Sequence, residues 1–268
     1  MGFSIVQGSP QKIWVPVEPG EALYTGAIVA VDTATPLEGV RPMPVAAGAS
    51  NATNKDVPFG IVCGNNSTSE TTPENLITQV AAGAVYESTT SYRGLEGPFI
   101  NGDPQAYVEI ELIDPSCVIR GPIFDTTEGT IVTPVTVTVG SGTDGIGCTT
   151  GAATVATVAN FSTIHPRTGK NKGVYRTLTS ASTTAHTWLK AMYGDMEIGD
   201  TAIVLNGLRP YGLCKMQIDS EALFVDANAA LSSHNFHVIV TRLELSEPGN
   251  EFVEFRFDGD NFCSTAVA

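Results

Sequence analysis

Charge is scarce in this chain, and positive charge scarcer still. Only 16% of the 268 residues are charged, and 14 basic residues stand against 28 acidic ones, a net −14. Up to position 125 there are 5 basic and 14 acidic residues, and beyond it 9 and 14. A surface this acidic repels phosphate backbones, which argues against nucleic acid as a direct partner. Long apolar runs are absent too. None approaches the ~20 residues that a membrane helix needs, so no membrane partner is expected. Met1–Val6 lacks a basic segment followed by an apolar stretch, so no signal peptide is expected either.

Cysteine is sparse: Cys63, Cys117, Cys148, Cys214 and Cys263 are odd in number and widely spaced, with no Cys-x-x-Cys. That pattern offers no disulfide framework and no zinc site, and it fits small buried thiols in a reducing cytoplasm. Hydrolase signatures are missing as well, with no Gly-x-Ser-x-Gly and no His-Glu-x-x-His. The glycine-rich stretch Gly140–Gly151 lacks the Gly-Lys-Ser/Thr of a phosphate loop and reads as a long turn. No enzyme and no cofactor is expected.

What remains is the vocabulary of sheets. With 27 Gly, 16 Pro and many Val and Thr, the chain reads as short strands and turns, hence mainly β. Residues 1–18 read as an extended arm, since Pro10 and Pro16 block a helix and Ile13, Val15 and Val17 alternate. Trp14 on that arm anchors either in its own domain or in a neighbouring subunit. From 19 to about 125, strands are expected at 27–32, 56–62, 76–80, 83–86 and 106–114. The segment Val40–Val45, with two prolines, is restricted to an edge strand or an extended segment. Residues 46–55 and 64–75 read as polar loops.

A boundary is placed near 125, where Asp125–Gly129 is turn-like. The second unit, 126–268, opens with a Thr/Val strand interrupted at Pro134. One helix is expected over about 183–193, because Ala185, Trp188, Leu189, Met192 and Tyr193 follow i, i+3, i+4, i+7, i+8. Ser182 or Thr183 would cap it and Gly194 would end it. A hairpin is expected over 236–258, turning at Glu247–Asn250, with Val253, Phe255 and Phe257 on one face.

Few residues offer chemistry. His234 and His237 would face opposite ways on a strand, and His186 reads as structural. Asp258 and Asp260 are the best calcium candidates, yet they lack the remaining spacing of a calcium loop, and a solvated turn is the plainer reading. Glu109 and Glu111 share a strand face and read as an exposed acidic surface rather than a glycosidase pair. One electrostatic feature stands out. Between Gly145 and Gly194 there is no Asp or Glu, while Arg167, Lys170, Lys172, Arg176 and Lys190 all fall there. Such a basic island is either an ordinary solvated loop or a docking site for an acidic neighbour.

The stretches Gly26–Thr33 and Val57–Val62, the Ser/Thr-rich Asn66–Thr72, and Val80–Tyr86 around Gly83 occur in an order that resembles the head decoration (cement) proteins of tailed bacteriophages, lambda-type and their β-tulip relatives. The resemblance covers roughly residues 15–90, and the chain is much longer than the simple family members. It implies a small β-barrel or β-tulip N-terminal domain over 19–125; the half after about 125, which its own residues mark as a second β-rich domain with one short helix, has no counterpart in that family. It further implies a virion protein on the capsid exterior, made in the host bacterial cytoplasm. Such a protein binds the major capsid protein, assembles as a homotrimer and staples neighbouring subunits through its arm. Contacts are expected through Ile13, Trp14 and Val15 and through Arg167, Lys170, Lys172 and Arg176. The alternative is a tail or fibre component, glycan-binding if an aromatic cluster lines a cleft in the second half.

Overall fold

Val, Ile and Thr crowd the backbone at Cβ and suit the pleated sheet, and the Gly and Pro between them end each strand before it grows long. A computed structural model describes residues 2–16, 23–24, 26–32, 39–42, 56–65, 76–77, 107–124, 133–141, 144–151, 162–205, 211, 213–219, 222–226 and 237–259. In chain order the first strands are β1 (Ser4–Gln7), β2 (Lys12–Pro16), β3 (Leu23–Tyr24), β4 (Ile28–Asp32) and β5 (Arg41–Pro42). Next come β6 (Asp56–Asn65), β7 (Leu76–Ile77), β8 (Tyr107–Leu112), β9 (Val118–Gly121) and β10 (Ile123–Phe124). The second half adds β11 (Val135–Val139), β12 (Gly147–Thr150), β13 (Thr163–Pro166), β14 (Arg176–Ala181) and β15 (Ala185–Trp188). It ends with β16 (Thr201–Leu205), β17 (Leu213–Asp219), β18 (Ala222–Asp226), β19 (His237–Glu244) and β20 (Phe252–Phe257).

The protein is mainly β, as its composition implies. Strands β11-β12-β15-β14-β13-β16 close into a barrel. An open five-stranded sheet runs β2-β8-β6-β4-β5, and a seven-stranded sheet runs β1-β9-β20-β19-β17-β18-β10. The closed barrel therefore lies in the second half, whereas the described strands of 19–125 include an open sheet. The proline-bearing β5 is an edge, as its sequence requires. Strands expected beyond Ile77 and through 83–86 lie outside the described residues, as does most of both polar loops.

Three expectations are corrected. First, the described part of the arm, residues 2–16, does not stand away from the fold but supplies an edge strand to each of two sheets. β1 pairs with β9 in one sheet and β2 pairs with β8 in another. Phe3, just before β1, seats its ring edge-on to Phe255 at 5.7 Å, over Gly121, where a Cβ would collide with it. Second, the boundary near 125 does not separate two sheets, because β9 from the first half pairs with β20 from the last hairpin. Third, no helix forms over 183–193. Ala185–Trp188 is a strand with alternating exposed and buried residues, paired to both β12 and β14. The Ser182 hydroxyl does accept the N–H of Ala185 at 2.9 Å, as a cap would, but it closes the β14–β15 turn instead.

Two strands carry apolar runs because both of their faces are covered. In β4, Ile28 and Ala30 enter the core under the seven-stranded sheet, while Val29 enters the cluster on the opposite side with Val15, Val108 and Ile110. In β16, Ile203 and Leu205 join the first core, and Ala202 and Val204 face the barrel interior with Trp188 and Leu178. One strand thus ties the barrel to the sheet. The final hairpin forms as expected: Val253, Phe255 and Phe257 are buried, and Gly249 turns at φ 82°.

Candidate functional site

After β15 the chain does not coil. It runs across the barrel as a strap from Leu189 to Gly199, held from below. Trp188, Met192 and Met196 sink into the barrel core. The Trp188 indole N–H donates to the Gly145 carbonyl at 2.8 Å, and the Met192 N–H donates to the same oxygen at 3.2 Å. Asn171 grips Gly194 twice, donating to its carbonyl at 2.8 Å and accepting from its N–H at 3.0 Å. The Met196 N–H donates to the Ser141 hydroxyl at 2.8 Å, and the Ser141 N–H donates back to the Met196 carbonyl.

Pinned this way, the strap displays what lies between its anchors. Leu189 is 86% exposed, Tyr193 89% and Ile198 75%. Leaving such side chains in water forgoes about 1.5–3 kcal/mol for each large aliphatic group. A rigid backbone presenting exposed apolar groups has its ordering entropy already spent, so it suits binding. The helix-like spacing read from the sequence comes from adjacent apolar pairs, one member buried and the next displayed. Doubled residues at 188–189 and 192–193, followed by Gly194 and Gly199, were the signal for this.

Beside the strap lies a groove of ≈ 510 Å³, lined by Gly173–Thr177, the turn leading into β14 and its first residues, together with Leu189 and Lys190. Tyr175 is one wall, stacked on the buried His165 with ring centroids 5.5 Å apart and planes 19° apart. His165 is in turn fixed by a 3.0 Å hydrogen bond with the Thr163 hydroxyl. Arg176 is immobilised by three carbonyls: its Nε donates to Lys190, its Nη1 to Tyr175 and its Nη2 to Ala191, at 2.7–2.8 Å.

The basic island divides in two. Arg167 is buried and paired with Glu251, so it cannot meet a neighbour. Lys170 pairs with Glu197 at 2.9 Å and Lys172 with Glu247 at 2.7 Å. Among the described residues, Arg176 and Lys190 have no carboxylate partner. The N-terminal contact set divides as well. Val15 is buried, whereas Ile13 and Trp14 are both half-buried, Ile13 against the Val15 cluster and Trp14 on the other face of β2. Glu109 and Glu111 are partly buried rather than an open acidic face, with Lys12 Nζ at 3.9 Å from each. Asp258 is half-buried at the end of β20, and Asp260 and His234 lie outside the described residues. Among the described residues no three potential metal ligands cluster, and no helix is long and apolar enough to cross a membrane.

Burial sets the state of two thiols and two imidazoles. Burial, reinforced by a 3.3 Å hydrogen bond to Glu109, pushes the Cys63 thiol up to about 12. Burial alone pushes Cys148 up to about 11. His165 is pushed down to about 3 by burial, against a smaller opposing pull from Glu244. Burial lowers His186 too, and its Nε2 shares a 2.9 Å hydrogen bond with the Thr150 hydroxyl. The Cys63 and Cys148 thiols thus stay protonated and these two imidazoles neutral at neutral pH. The class defined by fold and site is a mainly β protein with a closed six-stranded barrel that presents an apolar strap and a basic-lined groove. No family model, curated protein or solved structure matches the chain.

Proposed function

We propose that this chain is a structural virion protein, a decoration or cement protein that binds the outer capsid surface of a tailed bacteriophage and stabilises contacts between major capsid subunits. The observation that carries the reading is the strap, whose Leu189, Tyr193 and Ile198 stand in water on an anchored backbone. The strand order in residues 15–90 that resembles lambda-type decoration proteins supports the same reading, as does the solubility that a net −14 gives a protein present in many copies. In this reading a homotrimer covers each junction. Burying ~800 Å² per partner there slows local opening of the shell under the pressure of packed DNA. The test is to strip the protein from particles and heat them. A lower DNA-release temperature, restored by adding the protein back, is expected; an unchanged temperature refutes the reading.

The second reading, a tail or fibre component that binds glycan, is favoured by Tyr175 in the groove and Tyr193 nearby on the strap. Aromatic faces of this kind stack on sugar rings. A glycan-array signal lost on Tyr175→Ala would decide for it.

A further inference from the structure

We infer that the groove between β14 and the strap receives an extended, acidic segment of the neighbouring shell subunit, carrying carboxylates next to apolar side chains. This rests on the proposed cement function and names the chemistry of its partner. Five cations fall in a stretch that has no acid of its own, and three are neutralised by carboxylates from elsewhere in the chain, Glu251, Glu197 and Glu247. The two left without a carboxylate among the described residues, Arg176 and Lys190, are the two that line the groove. Among the described residues no Asp or Glu lines it.

The arrangement is prepared in advance. Arg176 makes three bonds to carbonyls, which hold its guanidinium still and leave its charge unpaired, with donor capacity to spare. Lys190 stands exposed on the strap. Leu189 and the Tyr175 ring supply apolar walls on either side of the cations. A bound segment therefore meets positive charge flanked by hydrocarbon, on a molecule that is otherwise strongly acidic. That contrast favours an acidic segment here over the net-negative remainder, which gives register as well as attraction.

The experiment uses the full chain and short fluorescein-labelled peptides of alternating leucine and glutamate, leucine and glutamine, or leucine and lysine, read by anisotropy at low and high salt. The leucine–glutamate peptide is expected to bind best, more weakly in high salt, and about tenfold more weakly to Lys190→Glu, with Lys190→Gln in between. The Lys190 side chain makes no bond among the described residues, so both variants are expected to keep the native circular dichroism. Equal binding of all three peptides, no binding, or an affinity unmoved by Lys190→Glu overturns the inference. A change in the protein's own oligomeric mass on Lys190→Glu overturns it too, since the occupant is then a second copy. Shell binding separates the two claims. If wild type and Lys190→Glu load onto stripped particles equally, the groove inference fails and the cement reading stands. If wild type does not load at all, the cement reading fails.

Discussion

Replacing Glu251 with glutamine isolates the ion pair that fastens the barrel to the last hairpin. Arg167 leaves β13 on the barrel and meets Glu251 at the start of β20, with both side chains more than nine-tenths buried. Glu251 also accepts the Gly249 N–H at 2.8 Å, which a glutamine oxygen can still do. The substitution therefore removes charge with little change of shape, and it strands a guanidinium whose Nε already lacks a partner among the described residues. Leaving one member of a buried pair uncompensated costs about 3–5 kcal/mol. For chains of this size, where 1 kcal/mol moves the midpoint by about 2–4 °C, Tm should fall by about 6–20 °C. Removing both charges, as Arg167→Met with Glu251→Leu, should recover most of the loss, because no orphaned ion remains. Urea unfolding at neutral pH, followed by circular dichroism and tryptophan fluorescence, measures this; Trp14 reports from the five-stranded sheet and Trp188 from the barrel. A Glu251→Gln protein within about 0.5 kcal/mol of wild type refutes the argument.

Three further outcomes follow from the same geometry. His165 ionises at about 3 when folded against an ordinary 6.5, so the unfolded chain takes up its proton first; stability is fully present above pH 6.5 and is lost toward pH 3, by up to about 1.4 kcal/mol per pH unit. His165→Gln should flatten that acid limb in pH-dependent unfolding, and an unchanged limb counts against it. Trp188→Ala should cost about 3–5 kcal/mol, since it empties the barrel centre and removes the donor to Gly145, and a thermal melt within 1 °C of wild type would contradict that packing. Leu189→Ser with Tyr193→Ser should leave stability within about 0.5 kcal/mol yet abolish retention on particles, measured by co-sedimentation; retained binding removes the strap from the interface.

Local chemistry was legible in the sequence and long-range pairing was not. The Pro-Gly turn and the alternation of Val253, Phe255 and Phe257 specify the last hairpin, and two prolines confine β5 to an edge, because each signal acts within a few residues. The pattern at 185–193 misled because Trp188 and Met192 are spaced as on a helix face, yet each is an anchor under a strap, and pairing to β12 and β14 overrode local periodicity. Nothing near residue 125 announces that β9 pairs with a strand more than a hundred residues on. The basic island was visible as composition, but its neutralisation depends on Glu197, Glu247 and Glu251, which lie outside it. Only the folded chain separates Arg176 and Lys190 from the other three.

The position of β9 between β1 and β20 has a consequence for biosynthesis. A ribosome delivers β1 and β9 early, and their partner emerges only with the closing hairpin, so the nascent sheet must wait with one edge unsatisfied while the whole barrel is translated. Aggregation risk should therefore peak in truncated or stalled chains ending before Phe252, and chaperone engagement should concentrate on that interval.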